Sequence, residues 1–236
     1  MGQIDLLKFT NDDSLAQAAA SQWLEKLADS KNLSLSAALS GGRIARKFSS
    51  ALAKTPGAKS TLERVHFFWG DERCVPPSDP ESNFAIANEL LFTPLKIDPA
   101  QIHRFKGEKD PEQAASEAET ELRRFVTADQ NGMPAIDLIF LGMGEDGHTA
   151  SLFPSEPEQV RDNTAIFRHV VASKPPPTRI TLGYSTIIAA RDVWVMASGS
   201  GKEAALRESL SPTGRTPLAR VLQRRQQTKV LTDIKL

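Results

Sequence analysis

In Asp137-Leu138-Ile139-Phe140-Leu141-Gly142-Met143-Gly144-Glu145-Asp146-Gly147-His148-Thr149-Ala150-Ser151-Leu152-Phe153-Pro154, an apolar run passes directly into a glycine-framed polar loop. The apolar part, Ile136 to Leu141, predicts a buried strand. Gly142, Gly144 and Gly147 satisfy the letters G-x-G-x-x-G, a pattern that is weak alone. A dinucleotide fold also needs a full crossover helix afterwards. Pro154 and Pro157 leave room for only one or two turns after His148. What remains is an acid and an imidazole, Asp146 and His148, two residues apart at a strand end. A carboxylate that close can hold a histidine in one tautomer and support its imidazolium form, which equips it as a general base.

Outward from this stretch, strand patterns alternate with helical ones. Ile4–Phe9, Leu33–Leu39, Val65–Trp69, Arg168–Ala172, Arg179–Leu182, Val193–Ala197 and Lys229–Ile234 read as further strands. Asn11 or Asp12 caps a helix with Leu15, Ala19, Trp23, Leu24 and Leu27 on one face. Arg43–Lys54 and Asn83–Phe92 read as helices, and Pro111–Asp129 as a longer one with an acidic solvated face. Thr216 and Pro217 open a last helix with a cap and a proline at its first position. The pattern predicts one α/β domain over residues 1–236, a doubly wound, mainly parallel, Rossmann-like sheet with helices on both faces. Ligands of such sheets gather beyond the carboxyl ends of the strands. The informative loops therefore follow Leu39, Trp69, Leu141 and Ala197.

Ser40-Gly41-Gly42-Arg43 joins a strand to a helix, so free backbone N–H groups there favour an anion, and two glycines let a phosphate approach closely. Gly70-Asp71-Glu72-Arg73 places two acids beside an arginine at a strand end, suited to polar recognition of a sugar or to a local ion pair. Cys74 next to it has no histidine nearby in sequence and reads as packing rather than nucleophile. Ser198-Gly199-Ser200-Gly201-Lys202 looks like the end of a P-loop. The required first glycine is Met196, however, and Glu203 stands where Ser or Thr should follow the lysine. A lysine at a helix start still suits a phosphomonoester, and Arg179 is placed to reach the same group.

Composition removes other classes. The 236 residues carry 29 Lys plus Arg against 29 Asp plus Glu, a net charge of zero, which argues against a protein that coats nucleic acid or an anionic membrane. Stretches interleaving basic and aromatic residues are missing, so nucleic-acid binding gains no support. The charge is nevertheless uneven: Lys202 to Leu236 holds eight basic and three acidic residues. The single cysteine predicts a reducing cytoplasm and no intrachain disulfide. No apolar run approaches the roughly 18 residues of a membrane span. The start, MGQIDLLKFT, lacks a signal-peptide core, and Leu6 breaks the myristoylation pattern. There is no G-x-S-x-G elbow, and the four histidines show no metal-ligand spacing.

The block Asp137–Pro154 closely resembles the signature of the 6-phosphogluconolactonases. Trp69-Gly70-Asp71-Glu72-Arg73 through Ser82-Asn83, then Arg179-Ile180-Thr181 and the Gly201-Lys202 loop, resemble that family in its order over most of the chain. The resemblance implies hydrolysis of 6-phospho-D-glucono-1,5-lactone to 6-phosphogluconate, in the oxidative pentose phosphate pathway. It implies a fold shared with glucosamine-6-phosphate deaminases and no metal or organic cofactor. Position by position, His148 matches the general base that activates water, and Asp146 the acid beside it. Asp71, Arg73 and Asn83 match the block lining the sugar and carboxylate end. Gly41, Gly42, Arg179 and Lys202 match phosphate-binding positions. One departure is plain: Arg43 and Ile44 stand where the family usually has Ser or Thr and then Pro. Arg43 either replaces the lost hydroxyl contact with a charge-assisted one or points away.

Two rivals remain. An amino-sugar phosphate deaminase-isomerase usually carries Asn-Gly-His-Ile-Ala-Phe-Asn-Glu-Pro where this chain has Asp146-Gly-His-Thr-Ala-Ser-Leu-Phe-Pro154. A non-catalytic sugar-phosphate sensor would explain the altered Arg43-Ile44 loop, but Asp146 and His148 argue against it. The expected partner is a small sugar-phosphate lactone. Oligomeric state is left open, with a monomer compatible with every feature.

Overall fold

Local chemistry fixes where the main elements start. Asn11 accepts from the Ser14 backbone N–H, and Ser14 reciprocates, so the first helix runs Asp12–Asp29. Asp110 accepts from the N–H groups of Glu112 and Gln113 ahead of Pro111, opening Pro111–Phe125. This helix ends four residues before the expected Asp129. There the Asp129 carboxylate accepts instead from the N–H groups of Asn131 and Met133 and shapes a loop. Thr216 caps the helix Pro217–Arg224 as expected. The segment predicted as one helix over Asn83–Phe92 is α-helical only to Ala87 and continues as a π-helical turn, Asn88–Phe92.

The computed structural model describes residues 2–161 and 163–236. Nine strands are present among them: β1 Gln3–Lys8, β2 Leu35–Leu39, β3 Val65–Trp69, β4 Asp71–Arg73, β5 Leu138–Gly142, β6 Phe167–Val171, β7 Thr178–Leu182, β8 Asp192–Ala197 and β9 Gln227–Thr232. Six form one sheet in the order β1-β9-β8-β5-β2-β3. Every pairing in it is parallel. All of β2 and the first four residues of β5 are buried, so both faces of the sheet are covered. The doubly wound α/β class is therefore observed.

The parallel sheet does not hold every strand. β4, β7 and β6 form a separate antiparallel sheet. Gly70 alone separates β3 from β4, so the chain passes from one sheet into the other. The link between β6 and β7 is too short for the crossover helix a parallel pair needs.

On one face Trp23, Phe48 and Phe140 interlock, with centroids 4.9 Å apart for Trp23–Phe140 and 4.6 Å for Phe48–Phe140. These rings seat the helices Asp12–Asp29 and Arg43–Lys54 against β5. The connection after β2 runs to the neighbour on one side, β3, while those after β5 run the other way, through β8 to β9. The carboxyl ends of β2 and β5 therefore mark the point where the winding reverses, the usual location of a ligand crevice.

No helix among the described residues is long and apolar enough to cross a membrane.

Candidate active site

A cleft of about 680 Å³ opens at this reversal point. The loops after β2, β3, β5 and β8 line it, as the sequence predicts. Of the ten residues singled out, Gly41, Gly42, Arg43, Asp71, Arg73, Asn83, His148, Arg179 and Lys202 form its wall. Asp146 is not in the wall but holds the imidazole that is.

The His148 Nδ1 and an Asp146 Oδ1 lie 2.5 Å apart, and the same oxygen accepts from the His148 backbone N–H at 3.1 Å. Burial alone would raise the Asp146 carboxyl. The backbone N–H and the imidazole of His148 outweigh it and hold the group below the ordinary aspartate value. With Nδ1–H donated to Asp146, the lone pair rests on Nε2. Glycine is required at 144, because a Cβ there would sit 2.1 Å from the imidazole Cε1 and Nδ1. The loop closes through the Gly144 N–H to the His148 carbonyl and through Thr149 Oγ1 to the Gly142 carbonyl, both at 2.9 Å.

The antiparallel sheet supplies a second wall. Asp71 pairs with Thr181, and Arg73 with Arg179. Strand alternation puts Asp71 and Arg73 on one face and Glu72 on the other. Two arginines directly opposite each other repel unless something anionic lies between or above them. The pKa of Arg179 is lowered first by burial and then by Arg73, while Asp71 and Glu81 oppose the shift. Its guanidinium is held by the Pro176 carbonyl at 3.1 Å and the Lys174 carbonyl at 3.3 Å, and lies 5.9 Å from the Phe153 ring centroid. Asp71 receives the Ser151 hydroxyl at 2.7 Å and the Asn83 amide through its backbone carbonyl at 2.9 Å.

The loops at the opposite wall are basic. Lys202 Nζ donates to the Met143 carbonyl at 2.6 Å. Its pKa is lowered by burial and then by Arg43, against the pull of Glu145 and Asp233. Gly42 adopts φ +87° at the start of Arg43–Lys54, and no side chain caps that helix, so its first N–H groups face the cleft. Arg43 takes neither expected role outright. It borders the cleft, but its Nη1 is ion-paired to Asp12 at 3.0 Å, and its Nη2 lies over Gly199.

Sequence reasoning missed several participants. Asp12, Glu145 and Asp233 also line the cleft. Asp233 accepts from Ser198 Oγ at 3.1 Å and the Gly199 N–H at 3.3 Å, ordering the loop before Lys202. Position at the end of β9 was the available signal, since β9 belongs to the same parallel sheet. Cys74 is half-buried, and its thiol is pushed up to about 11 by burial, with Glu72 and Asp110 adding to the effect. That agrees with a packing role.

Fold and cleft together define a doubly wound α/β protein whose cleft brings Arg43, Arg73, Arg179 and Lys202 beside a histidine–carboxylate pair. Comparison narrows the class: the chain belongs to the family of glucosamine-6-phosphate isomerases/6-phosphogluconolactonase, which matches residues 10–231. A 6-phosphogluconolactonase of Streptomyces coelicolor is 34% identical over 219 residues, covering 89% of this chain and 84% of that protein. One from Haemophilus influenzae is 38% identical over 173 residues, 72% of this chain and 71% of that protein. The solved 6-phosphogluconolactonase of Trypanosoma brucei superposes with a TM-score of 0.86 at 26% identity, covering 98% of this chain and 97% of that one.

Proposed function

We propose that this chain hydrolyses 6-phospho-D-glucono-1,5-lactone to 6-phosphogluconate. The observation that carries the reading is the Asp146–His148 pair, with Nε2 free of any hydrogen bond among the described residues and His148 on the wall of the cleft. Family membership and relatives named for this activity support the same choice.

A lactone is an activated cyclic ester, so water attacks directly and no covalent enzyme intermediate is needed. As the water oxygen bonds to C1, Nε2 of His148 takes its proton, and Asp146 stabilises the imidazolium that forms. The C1–ring oxygen bond then breaks, and the ring oxygen takes the proton back from the His148 imidazolium to become a hydroxyl, which returns the base to its neutral form. Gly41, Gly42, Arg179 and Lys202 hold the phosphate, while Asp71, Arg73 and Asn83 face the sugar. Anchoring the phosphate orients C1 toward the base. Arg43 keeps Nη1 on Asp12 and leaves Nη2, beside Gly199 on the cleft wall, to meet the phosphate.

A coupled assay with freshly generated lactone tests the reading. Turnover well above the spontaneous rate is expected. A rate at background, or ammonia release from glucosamine 6-phosphate instead, overturns it.

A further inference from the structure

Glu72 sits between two residues assigned to the sugar but points the other way. It is 3% exposed, lies on the opposite face of β4 from Asp71 and Arg73, and is not in the cleft wall. A carboxylate buried so deeply is costly unless its oxygens are filled. Here four donors fill them. Oε1 accepts from the backbone N–H groups of Arg73 and Asn83, both at 2.7 Å. Oε2 accepts from the Phe84 N–H at 2.8 Å and Ser82 Oγ at 3.0 Å. One side chain thus bolts β4 to the first turn of the helix Asn83–Ala87.

The bolt ends at a residue with one position open. Asn83 is 2% exposed, and its Nδ2 donates to the Asp71 carbonyl. Its Oδ1 is buried without a hydrogen-bond partner and lies where a Cβ on Gly41 would come within 1.9 Å. Asn83 therefore spans from Asp71 to the glycine loop after β2, at the floor of the cleft. Its backbone N–H is fixed from behind the cleft, by the Glu72 carboxylate.

We infer that Glu72 is a positioning residue: it fixes Asn83 and, through the Asn83 amide, Asp71, so that both meet the sugar ring in register. The inference rests on the lactonase reading above. Burial raises the Glu72 pKa, and the four donors oppose that rise.

The test compares Glu72→Gln, Asn83→Ala and the double variant in the lactone assay, with thermal unfolding measured alongside. The amide of Gln can accept at one end only, so two donors lose their acceptor. Displacing a substrate-contacting group by a fraction of an ångström to an ångström costs up to about 100-fold. Glu72→Gln is expected to lower kcat/KM roughly 10- to 100-fold. On the Asn83→Ala background the same change should cost less than about threefold, because the group it positions is gone. A purely structural role predicts equal losses in both backgrounds and overturns the inference, as does an unchanged kcat/KM in a folded Glu72→Gln. If Glu72→Gln does not fold, Ser82→Ala removes one donor to Oε2 together with the cap on the Ala85 N–H, and its loss of kcat/KM must likewise vanish on the Asn83→Ala background. An inactive wild-type chain would instead refute the lactonase reading, a result distinguishable from all of these.

Discussion

Two histidine–carboxylate pairs lie within hydrogen-bond distance among the described residues, and their chemistry is nearly the same. His148 meets Asp146 at 2.5 Å, and His103 meets Glu121 at 2.9 Å. In the first, the imidazole is on a loop at the winding reversal, its side chain 27% exposed, with Nε2 left open. In the second it is 5% exposed, and Nε2 is spent on His66 Nδ1 at 2.9 Å. That ring is stacked on Phe68 at 4.6 Å and packed on Phe125 at 4.2 Å. A carboxylate beside an imidazole thus does not make a base. What separates the two pairs is a free ring nitrogen on the cleft wall, which the strand-end loop leaves open and the aromatic cluster does not.

The largest test of the contrast removes each imidazole in turn. A positioned general base contributes roughly 10²–10⁴-fold. His148→Ala is therefore expected to lower kcat for the lactone by about that factor, with little change in thermal stability, because the ring is cleft-facing. His103→Ala should leave kcat unchanged and lower stability, since it vacates a packed and doubly hydrogen-bonded site. Full turnover by His148→Ala, or collapse of kcat in a folded His103→Ala, would reverse the assignment.

The same contrast explains what was legible before the structure. Strand periodicity and loop chemistry marked all four loops at the carboxyl edge, because each follows an apolar run and is rich in glycine or charge. The loop of His148 was readable from Gly144 and Asp146, since its geometry is local. The antiparallel sheet was not readable. The pairing of Arg73 with Arg179 joins segments about a hundred residues apart, and β4 is only three residues long. Glu72 was seen as one of two acids at a strand end. Its side was hidden because nothing in Gly70–Arg73 announces that the strand continues past Gly70. Arg43 was found, but its ion pair with Asp12 depends on the first helix crossing to the second, which no local pattern encodes.

A second, smaller effect concerns the cations around the cleft. Charge-assisted hydrogen bonds contribute about 1.5–3 kcal/mol, roughly 10- to 100-fold in binding. Lys202→Ala should raise KM by about that factor and alter kcat much less, since the phosphate is remote from C1. Steady-state kinetics at saturating and limiting lactone separates the two parameters. An unchanged KM would remove Lys202 from the phosphate site and leave the task to Arg179 and the helix start at Gly42.

The smallest effect lies at the second histidine pair and is read in stability. Burial, the larger influence at both His66 and His103, lowers their pKa values from the ordinary imidazole value, while Glu121 opposes it at both. Arg124 adds to the lowering at His103. The folded protein therefore keeps these rings neutral at a pH where the unfolded chain already binds protons. Stability should be independent of this cluster above about pH 6.5. It should fall as pH drops below that value and level off once the folded rings protonate. Denaturant midpoints across this range would show the slope, and each pKa unit of lowering corresponds to about 1.4 kcal/mol. His66→Asn and His103→Asn should each flatten the slope while leaving turnover near neutral pH unchanged, because neither ring lines the cleft. If the slope survives both substitutions, the acid sensitivity of the fold resides in another group, and the second pair is only packing.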